Sequence, residues 1–219
     1  MKLELKYTAD GSSTLYMPDL NESYHSINGA VTESEHVFLS MGLKFHKIQN
    51  PVVFEVGFGT GLNALLTAYH ANIMERHIFY ITVENHPLTI KLAKKLNYER
   101  FVPLQENRLF ITIHEAKWNE PVQLNAFFRL LKIKSDFTVL EKLPVKCDVI
   151  FFDAFGPEKQ PEMWTQQVFE KLYEWLNPGG VFVTYSAKGE VRRRLNAAGF
   201  RTEKLPGPPG KKEMLRGIK

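Results

Sequence analysis

The sequence predicts an α/β fold: a mostly parallel, seven-stranded sheet with helices on both faces and an N-terminal extension. Three observations predict it. Short apolar runs bounded by turn residues alternate with stretches of helical periodicity. One run, Val52 to Val56, ends in the glycine turn Gly57-Phe58-Gly59-Thr60-Gly61 and opens into a helical stretch. Two further apolar runs end in acids, Glu84 and Asp153.

Taken in order, residues 1–50 read as an extension packed on the core, and residues 51–219 as the main domain, one structural unit in all. Residues 1–20 alternate polar and apolar types and do not read as a signal peptide. Asn21 to Ser26 is polar and turn-like. Residues 33–44 have helical spacing, with Val37, Phe38, Met41 and Leu43 as the apolar face. Pro51 opens the strand before the glycine turn, and the helix that follows runs from Leu62 to about Glu75. Residues 78–83 form a second strand ending at Glu84. Pro87 suits the first turn of a helix reaching Leu96. This is a βαβ unit.

The stretch 99–130 carries Pro103, Trp118 and Pro121 and predicts a helix near 104–112 followed by a long irregular connection. A short strand over 131–134 precedes Asp136, and another over 148–152 ends at Asp153. Residues 162–176 are helical, closed by Asn177-Pro178-Gly179-Gly180. A strand over 181–185, a helix over 189–198 closed by Gly199, and a strand over 213–218 complete the chain.

Composition narrows the function. The 219 residues suffice for one sizeable core, and 44% hydrophobic with 24% charged residues is an ordinary globular balance. No run of 18 apolar residues occurs, so no membrane span is expected. Cys147 is the sole cysteine, which excludes an intrachain disulfide and suits a cytoplasmic setting. The seven histidines are scattered without a ligand signature, so no metal is expected. The net charge is +4, and from Lys188 onward ten Lys or Arg stand against three Asp or Glu. That asymmetry reads either as a solvated basic face or as a surface for a polyanion such as nucleic acid.

A strand followed by GxGxG sets backbone N–H groups and a helix N-terminus at the sheet's carboxyl edge. The pattern suits NAD, FAD, S-adenosylmethionine or a purely structural turn. Two details favour S-adenosylmethionine. Glu55, inside the strand, suits the cofactor's cationic methionine end. The spacing also lacks the third position of the dinucleotide fingerprint. Gly57, Phe58, Gly59, Thr60, Gly61 and Asn63 would form the cradle. Glu84 can accept two ribose hydroxyl hydrogen bonds, and Asp136 can meet the adenine amino group or serve as a helix N-cap. Asp153 stands where function usually sits in open α/β sheets, and a carboxylate there can hold an amine acceptor and orient its lone pair. Phe155 and Trp164 are candidates to wall a planar substrate, and Pro157 stiffens the loop. A tryptophan such as Trp164 on its helix is more often a partly buried core residue.

The chain resembles the tRNA 5-methylaminomethyl-2-thiouridine methyltransferase family. The resemblance rests on Asn21-Glu22-Ser23-Tyr24-His25-Ser26, Glu33-Ser34-Glu35-His36-Val37-Phe38-Leu39, and Glu55 to Asn63. It rests further on Asp153-Ala154-Phe155-Gly156-Pro157 with Pro161-Glu162-Met163-Trp164-Thr165, Tyr185-Ser186-Ala187 with Val191-Arg192-Arg193, and Gly210 to Gly217. It implies a Rossmann-like class I S-adenosylmethionine-dependent methyltransferase that converts 5-aminomethyl-(2-thio)uridine at the tRNA wobble position to its methylaminomethyl form. It places Asp153 beside the reactive amine and Asp153, Glu84 and the glycine turn around the cofactor. Tyr24 and Ser26, with the basic C-terminal segment, would flank the substrate opening. Arg192, Arg193, Arg194, Lys211 and Lys212 are expected to meet phosphates of the tRNA anticodon arm. A monomer is expected, without a fused FAD-dependent oxidase domain. Where the family often has glycine after the catalytic acid this chain has Ala154, tolerable unless φ there is positive. Two alternatives are a methyltransferase for another amine and a non-catalytic RNA-binding module.

Overall fold

The computed structural model describes residues 2–103 and 108–219. Its centre is an eight-stranded sheet of order β10-β11-β9-β8-β4-β5-β7-β6. The strands are β4 (Val52–Val56), β5 (Ile78–Glu84), β6 (Pro121–Asn125), β7 (Phe128–Lys134), β8 (Cys147–Phe152), β9 (Leu176–Thr184), β10 (Arg201–Pro206) and β11 (Glu213–Ile218). β9, β8, β4, β5 and β7 run parallel, whereas β6, β11 and β10 pair antiparallel to their neighbours. The sheet is therefore mixed, one strand larger than expected and less uniformly parallel. β8 is buried at every residue, as a central strand covered on both faces should be.

Alternation along these strands feeds two cores. Val53, Tyr80, Val149, Phe151, Val181 and Val183 face one cluster. Phe54, Ile81, Ile150, Phe152 and Phe182 face the other. The first is covered by α1 (Ala30–Ser34), which continues as a π-helix over Glu35–Leu43, and by α2 (Leu62–Met74) and α4 (Leu109–Glu115). The second is covered by α5 (Gln166–Trp175) and α6 (Gly189–Ala197). The π winding, with Lys44 N–H donating to Leu39 at 2.8 Å, buries Leu39 and Gly42 along with the expected Val37, Phe38 and Leu43. Gly42 brings the helix close, since a Cβ there would lie 2.9 Å from Val183 Cγ2.

Several boundaries differ from the sequence reading. Residues 104–107 lie outside the described residues, and the helix nearby is α4. The helix expected after Pro87 is the short α3 (Ile90–Ala93), capped by Thr89. Part of the expected irregular connection is β6, an edge strand that tolerates Pro121 at its first position. Asn177 to Gly180 does not close a helix but opens β9. Gly179 takes φ +77°, the ladder shifts register there, and Asn177 donates to Asp148.

The first residues form a separate antiparallel sheet of β1 (Glu4–Tyr7), β2 (Ser13–Met17) and β3 (Glu22–Ser23). Asp10 ties it to α1. Its carboxylate accepts from Thr8 Oγ1 and Ser12 N–H, and from Thr32 N–H and Oγ1 at 2.9 Å each. Burial alone would raise the Asp10 pKa, but the hydrogen bonds from Ser12, Thr32 and Thr8 outweigh it and hold the group well below the usual aspartate range.

Asp10→Ala leaves the N–H groups of Ser12 and Thr32 without their acceptor and is expected to cost about 1–2 kcal/mol in urea unfolding at pH 7. Because the folded-state pKa is depressed, that contribution is present above about 3.9, the unfolded value. The gap between wild type and variant should narrow as pH falls below it.

Candidate active site

The chain crosses from one side of the sheet to the other between β4 and β8, and their carboxyl ends open a crevice, as at the switch point of open α/β sheets. A cavity of about 940 Å³ occupies it. Its wall combines strand ends (Gly57, Glu84, Asp136, Asp153, Tyr185) with the extension (Tyr24, Ser26, Glu33) and Lys211 from the β10–β11 loop.

Gly57 to Thr60 of the glycine turn line the cavity with Asn63, whereas Gly61, also expected in the cradle, does not line it. Gly57, Gly59 and Gly61 take φ of +90°, +51° and +77°. A Cβ on Gly61 would lie 2.9 Å from both His114 Nε2 and Phe58 Cζ, so the turn admits no side chain there. Glu84 caps the turn, accepting Gly59 N–H at 2.9 Å and His86 N–H at 2.8 Å. Each carboxylate oxygen keeps a further lone pair. His114 Nε2 lies 3.0 Å from the Thr60 carbonyl oxygen. His25 is buried against Thr14, Thr60 and Tyr98, and burial lowers its pKa to about 4, so the ring is neutral at pH 7.

Two carboxyl groups lie at the heart of the site. Asp153 Oδ2 accepts from Asn63 Nδ2 at 2.8 Å. Burial and then the negative charge of Glu33 push its pKa up to about 7, against the pull of Asn63 and Lys211. Glu55 is fully buried beneath the cavity floor rather than on its wall, because it points from β4 toward α2. Thr82 Oγ1 donates to its Oε2 at 2.7 Å. Among the described residues Glu55 Oε1 and Asn63 Oδ1 are buried without a hydrogen-bond partner. Burial raises the Glu55 pKa to about 8, with Thr82 opposing and Asp153 reinforcing.

The remaining candidates divide by place. Phe58, Thr60, Phe155 and Pro157 line the cavity, and Tyr24 meets Phe155 edge to face with centroids 5.2 Å apart. Asp136 also lines it while capping the 3-10 turn Phe137–Val139, accepting Thr138 N–H at 2.7 Å. Ala154 is not among the residues with positive φ, so its methyl group meets no backbone strain. Trp164 does not wall the cavity. It is buried against Phe152, and its indole N–H donates to the Phe155 carbonyl at 2.8 Å, holding the loop from behind. Arg192, Arg193 and Lys212 are exposed outside the cavity, and Arg194 is turned back to Trp164 O and Glu190. Lys211 points inward to Glu33, 2.6 Å away. Sequence reasoning missed Glu33 and Tyr185 as site residues. Both lay inside quoted motifs, but nothing local signalled that they face Asp153. No cluster of three or more metal-binding side chains occurs among the described residues.

Gly61→Ala is expected to abolish cofactor binding, read by calorimetry, and to cost about 1–3 kcal/mol. Glu55→Gln tests the buried acid. With a folded-state pKa near 8 and an unfolded value of about 4.3, wild-type stability should fall as pH rises between the two. The variant should lose less stability over that interval, measured by urea unfolding at pH 5 and pH 8.

A family model described as S-adenosyl-L-methionine-dependent methyltransferase matches residues 112–219. The chain is 32% identical over 221 residues to the tRNA 5-methylaminomethyl-2-thiouridine biosynthesis bifunctional protein MnmC of Cupriavidus metallidurans, with 92% of this chain matching 32% of that protein. The MnmC of Pseudomonas syringae pv. tomato is 32% identical over 213 residues, with the chain again spanning 32% of its length. The crystal structure of MnmC2 from Aquifex aeolicus superposes with a TM-score of 0.80 at 25% identity, covering 99% of this chain and 70% of that one. The fold, the glycine cradle and these matches agree: the chain is an S-adenosylmethionine-dependent methyltransferase of class I fold, homologous to the methyltransferase domain of the MnmC proteins.

Proposed function

We propose that the protein methylates the primary amine of 5-aminomethyl-(2-thio)uridine at the tRNA wobble position, giving 5-methylaminomethyl-(2-thio)uridine. The observation that carries this reading is Asp153. It lies on the cavity wall, held by Asn63, with a pKa raised to about 7, facing a chamber that the Tyr24–Phe155 pair makes aromatic on one side. Homology to the MnmC proteins supports the acceptor class.

The residues present fit the cofactor. The unpartnered Asn63 Oδ1 and the glycine cradle suit its methionine end, with Glu55 below as a buried acid that a bound cation would help to ionise. Glu84 and Asp136 line the cavity at the strand ends beyond, and on this reading they would serve the ribose and the adenine. When bound, S-adenosylmethionine supplies an electrophilic methyl group on a sulfonium centre.

The chain's own residues then handle the acceptor. An alkylamine is mostly an ammonium at neutral pH and has no lone pair to offer. Asp153, with a proton affinity near neutrality, is matched to take one N–H proton and to hold a second by hydrogen bond while the lone pair faces the methyl carbon. Tyr24 and Phe155 offer faces and edges to the uracil ring. A base in the anticodon loop is turned out more cheaply than one in a duplex. Outside the cavity, Arg193 and Lys212 are exposed, and on this reading they would meet phosphates. Lys211 is engaged with Glu33 and contributes less there.

The test is transfer of label from S-adenosylmethionine to tRNA carrying 5-aminomethyl-uridine, with nucleosides resolved by mass spectrometry. Label should appear as 5-methylaminomethyl-uridine, and Asp153→Asn should lower the rate by about 10²–10⁴. Preferred labelling of free polyamines would move the assignment to another amine, and cofactor binding without turnover to a binding module. In a salt titration, Arg193→Ala and Lys212→Ala should each weaken tRNA binding and reduce the slope of log K against log salt by roughly 1.

A further inference from the structure

Lys211 and Glu33 stand 178 residues apart in sequence and form an ion pair inside the cavity, Nζ to Oε1 2.6 Å. Glu33, on α1, is 7% exposed, and its second oxygen accepts Ser26 N–H at 2.9 Å. The Lys211 ammonium also lies 3.9 Å from the centre of the Tyr185 ring. The Tyr185 hydroxyl donates to the Ala154 carbonyl at 2.9 Å, next to Asp153. Ser26 thus holds the acidic end of the pair and Tyr185 the basic end. The loop carrying Lys211 is pinned in turn to the extension, with His36 Nε2 2.8 Å from the Pro206 carbonyl oxygen and Gly210 pressed on Asn28.

A phosphate anchor would be free to leave its partner, whereas the half-exposed Lys211 is tied to the buried Glu33. A purely structural ion pair could sit anywhere, yet this one shares the cavity wall with Asp153. Resting on the acceptor reading above, we propose that Glu33 and Lys211 act as one positioning unit, an internal ion pair that sets the charge Asp153 presents to the acceptor amine. Glu33 favours the protonated acid and Lys211 the carboxylate, and they act on Asp153 in these opposite directions. The other groups facing Asp153 are Glu55 on β4, Tyr80 on β5, Tyr98 after α3 and Tyr185 after β9, with Asn63 on α2 as its neutral donor. Of these, Glu55 is also an acid held toward its neutral form, and the tyrosines are all held un-ionised by burial. Glu84, Asp136, Glu158, Lys159, Glu162 and Lys188 also line the cavity, but the charges that act on Asp153 are Glu33 and Lys211.

The experiment follows the Asp153 carboxyl carbon by ¹³C NMR in the cofactor-free full chain, assigned by its loss in Asp153→Asn. Cofactor binding serves as the folding control. In Glu33→Gln the titration midpoint should move down, and in Lys211→Met up, each by on the order of one pH unit. Lys211→Arg should stay near wild type, and the double variant should return most of the way, which keeps the test decisive if one single variant fails to fold. The acid limb of kcat/KM for the tRNA acceptor should follow the same order. Midpoints that stay fixed, or that move in one direction for both charges, overturn the proposal. Opposed shifts in a protein that does not methylate 5-aminomethyl-uridine would leave the unit standing and sink the acceptor reading instead.

Discussion

The site depends on two carboxyl groups kept at the ends of neighbouring parallel strands with little positive charge to balance them. Glu55 pairs with Phe151 in the ladder, and Asp153 follows the last residue of the same strand, Phe152, whose partner is Val56. Strand alternation sends Glu55 into the α2 face, where Thr82 is its hydrogen-bonding neighbour. Asn63, at the start of α2, donates its amide to Asp153 and leaves its carbonyl oxygen without a partner. Burying an acid without a cation drives it toward its neutral form, and both groups show that shift. A site built this way is poised to gain when positive charge enters. Both reactants of the proposed amine methylation would bring it.

The surrounding structure keeps that arrangement from relaxing. The glycine turn brings the backbone under the cavity, and His114 and Glu84 fix it from either side. The extension contributes Tyr24, Ser26 and Glu33 to the wall and seals its own fold through Asp10. Trp164 and Tyr185 hold the carbonyls of Phe155 and Ala154, so the loop after Asp153 is fixed by one side chain buried behind it and one on the cavity wall.

Much of this was legible in the sequence because it is local. The strand, glycine turn, helix and acid between Val52 and Glu84 follow from apolar periodicity and turn chemistry within about thirty residues. The strand over 213–218 was read to the residue. What was missed depends on distant partners. β10 and β6 carry polar faces at or near the sheet edges, where alternation is weak and pairing with β11 and β7 decides the conformation. Asn177 to Gly180 looked like a helix stop because its composition suits one, but the ladder to β8 and the contact with Lys219 draw it into a strand. Lys211 was read as a phosphate contact from residue type, whereas a long-range partner turns it into the cavity; of the two readings of Trp164, the core position is the one its partners enforce.

The central claim is that the cavity holds carboxyl groups waiting for a cation, and proton release on cofactor binding tests it most directly. Calorimetry of S-adenosylmethionine binding at pH 7, in buffers of different ionisation enthalpy, reads the number of protons exchanged. The account predicts release of a substantial fraction of a proton, reduced in Asp153→Asn and in Glu55→Gln. Binding with no proton exchanged in any buffer would contradict it, because the two acids would then already be ionised or would lie beyond reach of the cofactor's charge.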